Sequence, residues 1–322
     1  MKTSLIILAV LLATSIAMAQ ANASPSQTGS PSGQTQGQPG SKSASPTPST
    51  AQTQPSGGNR VLQAKSQDEL KAYQDASAKT DPAEMAAAAD AFAAQYPNSE
   101  MRGTLYVRAM SLYAQANNSE KLVEEGRKAI AADPTNPIPL VQVASVLVET
   151  TRDTDLDREQ RLEEATKDAQ AAIDNIDTGL IIPPNAPPER VAGAKTSILT
   201  MAYDTLGMVN LNKKDYVAAE QALLKAAETT KAKPEAVVYL RLSVAQDNLK
   251  KYPQALESAT KAMQLSPQGS TAQNLAKQQQ TRVQKLMDAA GSSSTATPTA
   301  ATPAPARPAT APANTTPPTT PH

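Results

Sequence analysis

The sequence predicts an all-α solenoid of helical hairpins stacked in chain order, and three observations carry that prediction. Residues 203–267 hold one pattern twice, thirty-six residues apart. Tyr203-x2-Leu206-Gly207 is followed by Asp215-Tyr216-x2-Ala219-x3-Leu223-x2-Ala226, and Tyr239-x2-Leu242-Ser243 by Lys251-Tyr252-x2-Ala255-x3-Ala259-x2-Ala262 and Pro267. Each copy reads as an aromatic-bearing helix, a tight turn, and a second helix whose small inward residues let backbones approach closely. All eight tyrosines and the single phenylalanine, Phe92, lie between Tyr73 and Tyr252, so the core must lie there. The flanks carry almost no charge: Lys42 is the one charged side chain of residues 20–59, and Arg307 that of residues 291–322.

The spacing resembles the tetratricopeptide repeat, whose pattern is W-x2-L-G-x2-Y, then A-x3-F, then P, in a 34-residue unit. Tyr203 and Tyr239 stand where that family often has Trp, and Asn210 and Gln246 where it has Tyr. The resemblance implies a right-handed α-solenoid of about five such hairpins plus a C-terminal capping helix, with disordered N- and C-terminal arms. It also implies binding of a protein or peptide partner on a concave face.

At the N-terminus, Lys2 precedes an apolar run over residues 5–16 and then Ala17-Met18-Ala19, the small-x-small form of a cleaved secretory signal. The run is shorter than the roughly 20 residues a spanning helix needs, so we expect an exported, periplasmic or secreted chain starting near Gln20. The alternative is a chain tethered to the membrane by its uncleaved signal. The absence of cysteine removes disulfide staples and the acceptor of a bacterial lipoprotein anchor. Residues 20–60 are Ser, Gln, Pro and Gly with almost nothing to bury, and residues 291–322 are Pro, Thr and Ala. Such segments cannot offset roughly 1 to 2 kcal/mol per residue of ordering cost, and both are expected to be disordered spacers, dispensable for folding of residues 61–290.

Five hairpins follow in order. In the first, 66–99, Asp81 caps a helix opened by Pro82, and the alanine-rich run after it favours helix. The second, 103–136, pairs Tyr106-x2-Ala109-Met110-x2-Tyr113 with Leu122-x3-Gly126-x2-Ala129-Ile130, turning at Asn117-Asn118-Ser119. Glu124 and Lys128 are spaced to support its exposed face. The third, 137–177, pairs an apolar helix over 140–148 with Leu162-x2-Ala165-x3-Ala169-x2-Ala172. Between them lies the charged insertion 149–161, expected to be a helix start with solvated charges, since an EF-hand needs a glycine and a ligand alternation that it lacks. The loop 177–188 holds Gly179 and prolines that stop any helix, and reads as a strap packing Leu180, Ile181 and Ile182 on the helices beside it. Hairpins 200–233 and 236–269 carry the strongest pattern, and Gly207→Leu should cost about 1 to 3 kcal/mol where two helices touch. A helix over 271–290 supplies the polar end that a solenoid needs.

Composition excludes several chemistries. The formal net charge is +0, which gives no field to select nucleic acid. His322 is the only histidine, at the last position, so histidine acid–base chemistry, Ser-His triads and histidine-bound zinc have no candidate. The neighbours Glu124-Glu125 and Glu163-Glu164 cannot face one another on a helix and read as solvated faces. No cofactor, metal, catalytic residue or stable membrane span after signal cleavage is expected. Two classes remain, a partner-binding scaffold in the cell envelope and a self-associating structural solenoid; a carboxylate-only enzyme or an accessory subunit of an envelope enzyme is the remote third. The partner-binding candidates on the first helices are Val107, Ser111, Val141, Ser145, Asp204, Met208, Leu240 and Val244, with Arg241, Asp247 and Asn248 as polar contacts near the C-terminal end. These side chains cannot build the Lys/Asn carboxylate clamp of some family members, so a mainly apolar floor with weak salt dependence is expected.

Overall fold

The computed structural model describes residue 60, residues 62–183 and residues 185–294; the expected signal, the rest of residues 1–59 and the tail from residue 295, including Arg307 and His322, lie outside the described residues. Eleven helices follow one another among the described residues: α1 (Gln67–Ser77), α2 (Pro82–Gln95), α3 (Arg102–Gln115), α4 (Ser119–Ala132), α5 (Pro137–Thr150), α6 (Arg158–Asp174), α7 (Pro188–Asn212), α8 (Tyr216–Thr229), α9 (Ala236–Asn248), α10 (Tyr252–Leu265) and α11 (Thr271–Ser294). Each packs on the next, and each odd-numbered helix also approaches the next odd-numbered one, whereas the even-numbered helices lie farther apart and are bridged by long side chains such as Arg127 to Glu164 and Lys128 to Asp90. The odd helices therefore form the tighter, concave layer of the stack.

Local signals set the helix starts. Ser66 accepts from the N–H of Glu69, Asp81 from those of Ala83 and Glu84, Asn118 from Lys121, Asn136 from Ile138 and Asp215 from Ala218, each satisfying a donor that the first turn leaves free. Three hairpin turns are built alike. Asn117, Lys214 and Lys250 take the left-handed conformation, at φ of 54°, 60° and 59°. The next residue then donates its N–H back across the turn: Asn118 to Tyr113, Asp215 to Asn210 and Lys251 to Gln246, all at 2.9 Å. This closure is that of a Schellman turn. It uses only the backbone carbonyl of the residue where the family has tyrosine, so Asn210 and Gln246 serve there as well.

Small residues bring the layers together. A Cβ on Gly207 would lie 2.5 Å from Cγ of Leu223, so α7 and α8 meet where the sequence places their contact. Ala165, Ala169 and Ala172 on α6, and Ala255, Ala259 and Ala262 on α10, are fully buried at equivalent positions.

The third hairpin departs from this pattern. Helix α5 is buried nearly all round, through Leu140, Val141, Val143, Ala144, Val146, Leu147 and Val148. The loop after α6 is a strap as expected: Leu180 and Ile182 join a core with Leu140, Val141, Ile176, Ile198 and Ala202, while Ile181 is half-buried. Arg60 holds the strap from outside, accepting at its carbonyl from the N–H of Ile182 at 3.4 Å and pairing with Asp133 at 2.6 Å. Arg60, which the sequence assigns to the N-terminal arm, thus meets a nearly buried carboxylate.

The insertion also differs from its expected form. Helix α5 runs on to Thr150 and α6 begins only at Arg158, so an irregular turn separates them. Its arginines are not merely solvated: Arg161 donates to the hydroxyls of Thr150 and Thr151, and Arg158 to the carbonyl of Asn212. The reading of the glutamate pairs as solvated holds for Glu124 and Glu163, which are exposed, and is corrected for their neighbours. Glu125 is only 1% exposed and bonds Lys128 at 3.0 Å, and Glu164 takes both Nε and Nη2 of Arg127 at 2.7 Å.

Candidate functional site

The sequence of α9 places Val237, Leu240, Arg241, Val244 and Asn248 on one stripe of the helix, and these are half-buried or exposed, as Ala236 and Tyr239 are, whereas Val238, Leu242, Ser243, Ala245, Gln246 and Asp247 are buried. The stripe is therefore the open part of the concave layer at this repeat. Leu240, Arg241, Val244 and Asn248, candidates from the sequence, lie on this stripe.

Other candidates do not. Val141 and Met208 are 2% and 8% exposed and belong to the core, because α5 and α7 pack against each other along these residues. Asp247 is covered by α11, whose Arg282 and Gln279 bond its carboxylate. Ser111 donates to the carbonyl of Val107 within its own helix, and Asn248 to that of Val244. Val107 is half-buried against the N-terminal core. Val107, Ser111 and Ser145 are half-buried, as Leu240 and Val244 are, so the inner layer loses only Val141, Met208 and Asp247 from the expected floor.

Beside that stripe the structure gathers charge from three helices. Arg241 pairs with Asp204 of α7, and the other oxygen of that carboxylate, Oδ1, is enclosed without a hydrogen-bond partner. Glu149, at the end of α5, lies within electrostatic reach of both, and its one hydrogen-bond partner is Ser145 of its own helix, at 3.4 Å. Glu235, capping position of α9, is the third carboxylate around Arg241, with Lys233 beyond it. Burial pushes all three carboxyls up from the ordinary carboxylate value, Arg241 pulling each of them down and Asp204 adding to the rise at the two glutamates. Glu149 is exposed over the residue as a whole. Sequence reasoning named Ser145, Asp204 and Arg241 here but missed Glu149 and Glu235. Nothing local marks them, because three separate helices bring the carboxylates together.

A second constellation was legible and was missed. Lys128, Lys225 and Lys261 lie over the rings of Tyr106, Tyr203 and Tyr239, at 5.7, 5.4 and 4.2 Å from the centroids. Each lysine follows its tyrosine at the same sequence separation, so a Tyr-to-Lys spacing shared by three hairpins was the available signal. Each pair clips the first helix of a hairpin to the second, and Lys128 further bonds Asp90 and Glu125. The Tyr106 hydroxyl donates to Asp90 at 3.0 Å, and burial, followed by that bond, pushes its pKa up to about 12.

Repeating hairpins, shared turns, glycine contacts and tyrosine–lysine clips together decide the architecture. The fold is tetratricopeptide-like. None of the known family models matches the sequence, and none of the curated proteins does. Among solved structures the TPR-like chain is similar to the crystal structure of MamA, at 14% identity over 57% of this chain and 96% of that one, with a TM-score of 0.35. It is also similar to the assembly chaperone of RpL4, Acl4, at 11% identity over 69% and 99% with a TM-score of 0.36, and to the TPR domain of P58(IPK), at 13% identity over 70% and 66% with a TM-score of 0.25. Among the described residues no group of three His, Cys, Asp or Glu side chains is placed to hold a metal ion, and no helix is long and apolar enough to cross a membrane.

Proposed function

We propose that the chain is an exported scaffold that binds a segment of a partner protein on the concave face of its solenoid, in the cell envelope. The observation that carries the reading is the open stripe of α9. Val237, Leu240 and Val244 remain accessible on the inner layer, whereas Val141, Met208 and Asp247 of the same layer are covered by packing. Apolar side chains at helical spacing on a curved surface fit the alternate side chains of an extended or helical segment. The export component rests on Lys2, the apolar run 5–16 and Ala17-Met18-Ala19, which lie outside the described residues. It is tested by the intact mass of the protein recovered from its own cells: a mature chain beginning near Gln20 supports export, and retention of Met1 overturns it.

The binding component is tested by Leu240→Glu with Val244→Glu. Neither side chain is fully buried, so helical circular dichroism should be retained while capture of the partner is lost. A folded double variant that still captures its partner overturns the assignment of the stripe.

A further inference from the structure

We propose that the cleft between the outer helices α6 and α8 binds a glutamate or aspartate side chain of a partner protein, with Lys225 as its counter-ion. The other outer helices are tied pair by pair through charged side chains. Lys128 of α4 bonds Asp90 of α2 at 3.0 Å, Arg127 of α4 bonds Glu164 of α6 at 2.7 Å, and Lys251, at the start of α10, bonds Glu220 of α8 at 2.5 Å. Among the described residues no side-chain hydrogen bond or ion pair joins α6 to α8. The repeat register gives the reason. Gln170 follows the buried Ala169 as Asp90 follows Ala89 and Arg127 follows Gly126, so a neutral amide stands where α2 and α4 carry charge. Ala218 precedes the buried Ala219 as Glu164 precedes Ala165, so the facing helix lacks its carboxylate too.

The two replacements leave a cleft of about 210 Å³, walled by Gln170 of α6 and by Ala218 and Lys225 of α8, with Tyr203, Leu206 and Asn210 of α7 between them. Lys225 lies over the Tyr203 ring as Lys128 lies over that of Tyr106, but it meets no carboxylate. Both acids that hold Lys128 are replaced around it: Gln170 stands for Asp90, and Ala222, three residues before Lys225, stands where Glu125 lies three before Lys128. Asp174 accepts from the Gln170 amide at 2.9 Å within α6 and does not pair with Lys225. No acidic side chain lines the cleft, and the Asn210 amide bonds no protein group among the described residues. A cationic recess with an open amide donor suits an anionic group with oxygen acceptors, and Leu206 suits its aliphatic stem. Volume sets the size of the occupant. Small-molecule sites run to roughly 300 to 1,000 Å³, so this cleft takes a single side chain. The chain's own arms do not supply it, since residues 20–59 and 291–322 contain no Asp or Glu.

The test is selection of a random dodecapeptide phage library on the full immobilised chain, followed by anisotropy titration of the selected peptides as synthetic probes. The expected result is enrichment of a Glu or Asp beside apolar residues, in peptides that raised salt weakens. Lys225→Gln should weaken them about tenfold, and so should Gln170→Asp, which gives Lys225 an acid of its own in the position of Asp90. Gln170→Asp should leave the melting temperature unchanged or higher, because it adds a pair that α2 and α4 already share, so its loss of binding is not a loss of folding. Leu240→Glu with Val244→Glu should leave these peptides bound, since the α9 stripe belongs to the other layer. A selection without acidic peptides, or acidic peptides indifferent to both Lys225→Gln and Gln170→Asp, would overturn the cleft as a site. Acidic peptides lost on the α9 double variant instead would belong to the concave face and overturn it equally. Dimerisation of the parent chain in light scattering, abolished by Gln170→Asp, would name a second copy as the occupant and overturn a foreign partner.

Discussion

In the second, fourth and fifth hairpins a tyrosine of the first helix lies under a lysine of the second, and a left-handed residue closes the turn between them. The third hairpin has neither. Helix α5 carries no aromatic residue, Ala171 stands where α10 has Lys261, and the insertion replaces the short turn. Its stability comes instead from burial: an apolar α5 covered on nearly all sides, a strap that adds Leu180 and Ile182, and arginines that satisfy hydroxyls and a carbonyl at the helix ends. A repeat can be held by small identical contacts, or by one irregular core where the repeat is interrupted. The two kinds should fail differently, since each clip is worth a fraction of a kcal/mol whereas the strap is a single packed unit.

The largest expected difference is between two glycines. At Gly179 a Cβ would fall on the carbonyl oxygen of Thr135, and backbone cannot move aside without lifting the strap. Gly179→Ala should cost about 3 kcal/mol in urea unfolding, against roughly 1 kcal/mol for Gly207→Ala, where the obstructing atoms belong to the side chain of Leu223. Equal losses at the two sites would remove the distinction between strap and clip.

A smaller effect is expected from the acid buried in the third hairpin. Burial, followed by repulsion from Glu164, pushes the Asp168 carboxyl up to about 6, against the pull of Lys167 and Arg127. The folded chain therefore holds this proton more tightly than the unfolded chain does. Its stabilising effect is complete below the ordinary carboxylate value and is lost as pH rises through about 6. Asp168→Asn should consequently raise stability at pH 8 by about 1 to 2 kcal/mol, and flatten the fall between pH 4 and pH 6. A parallel pH profile for variant and parent would refute the assignment.

Next comes Arg60. Arg60→Ala removes a bond to Asp133 and another to Thr135, and should lower stability by about 1 kcal/mol. The loss should be shared by a chain trimmed to residues 61–294 and absent from one trimmed to residues 60–294, so the melting temperatures of the two trimmed forms measure what this one residue holds.

The smallest effects should come from the clips. Lys225→Met and Lys261→Met keep the apolar stem but remove the charge over the ring, and each should cost about 0.5 kcal/mol. Lys128→Met should cost more, because it also leaves Glu125 buried without its cation. Three equal losses in thermal unfolding would show that the Glu125 contact contributes nothing.

Much of this architecture was legible in the residues. Asp81-Pro82 announced a helix start because capping is a contact between near neighbours in the chain, and Asn118 and Asp215 cap their helices by the same contact. Gly207 and the alanine triplets announced where helices touch, because close approach excludes larger side chains. The strap was legible too, from three apolar residues between Gly179 and prolines in an otherwise polar loop.

The sequence by itself determined the hairpin order, the turns, the small-residue contacts and even the tyrosine–lysine clips, since all of these depend on separations that stay constant along a repeat. Only the tertiary structure decided which candidate side chains face outward. Val141 and Val244 look alike in a helical pattern, but α5 is packed against α7 while the stripe of α9 is left open. It also decided the charge of the site. Glu149, Asp204 and Glu235 are remote in the chain, and the stacking of α5, α7 and α9 is what lets them share Arg241. Electrostatic interaction follows distance in space, and distance in space is fixed by packing, which residue spacing within one helix does not encode.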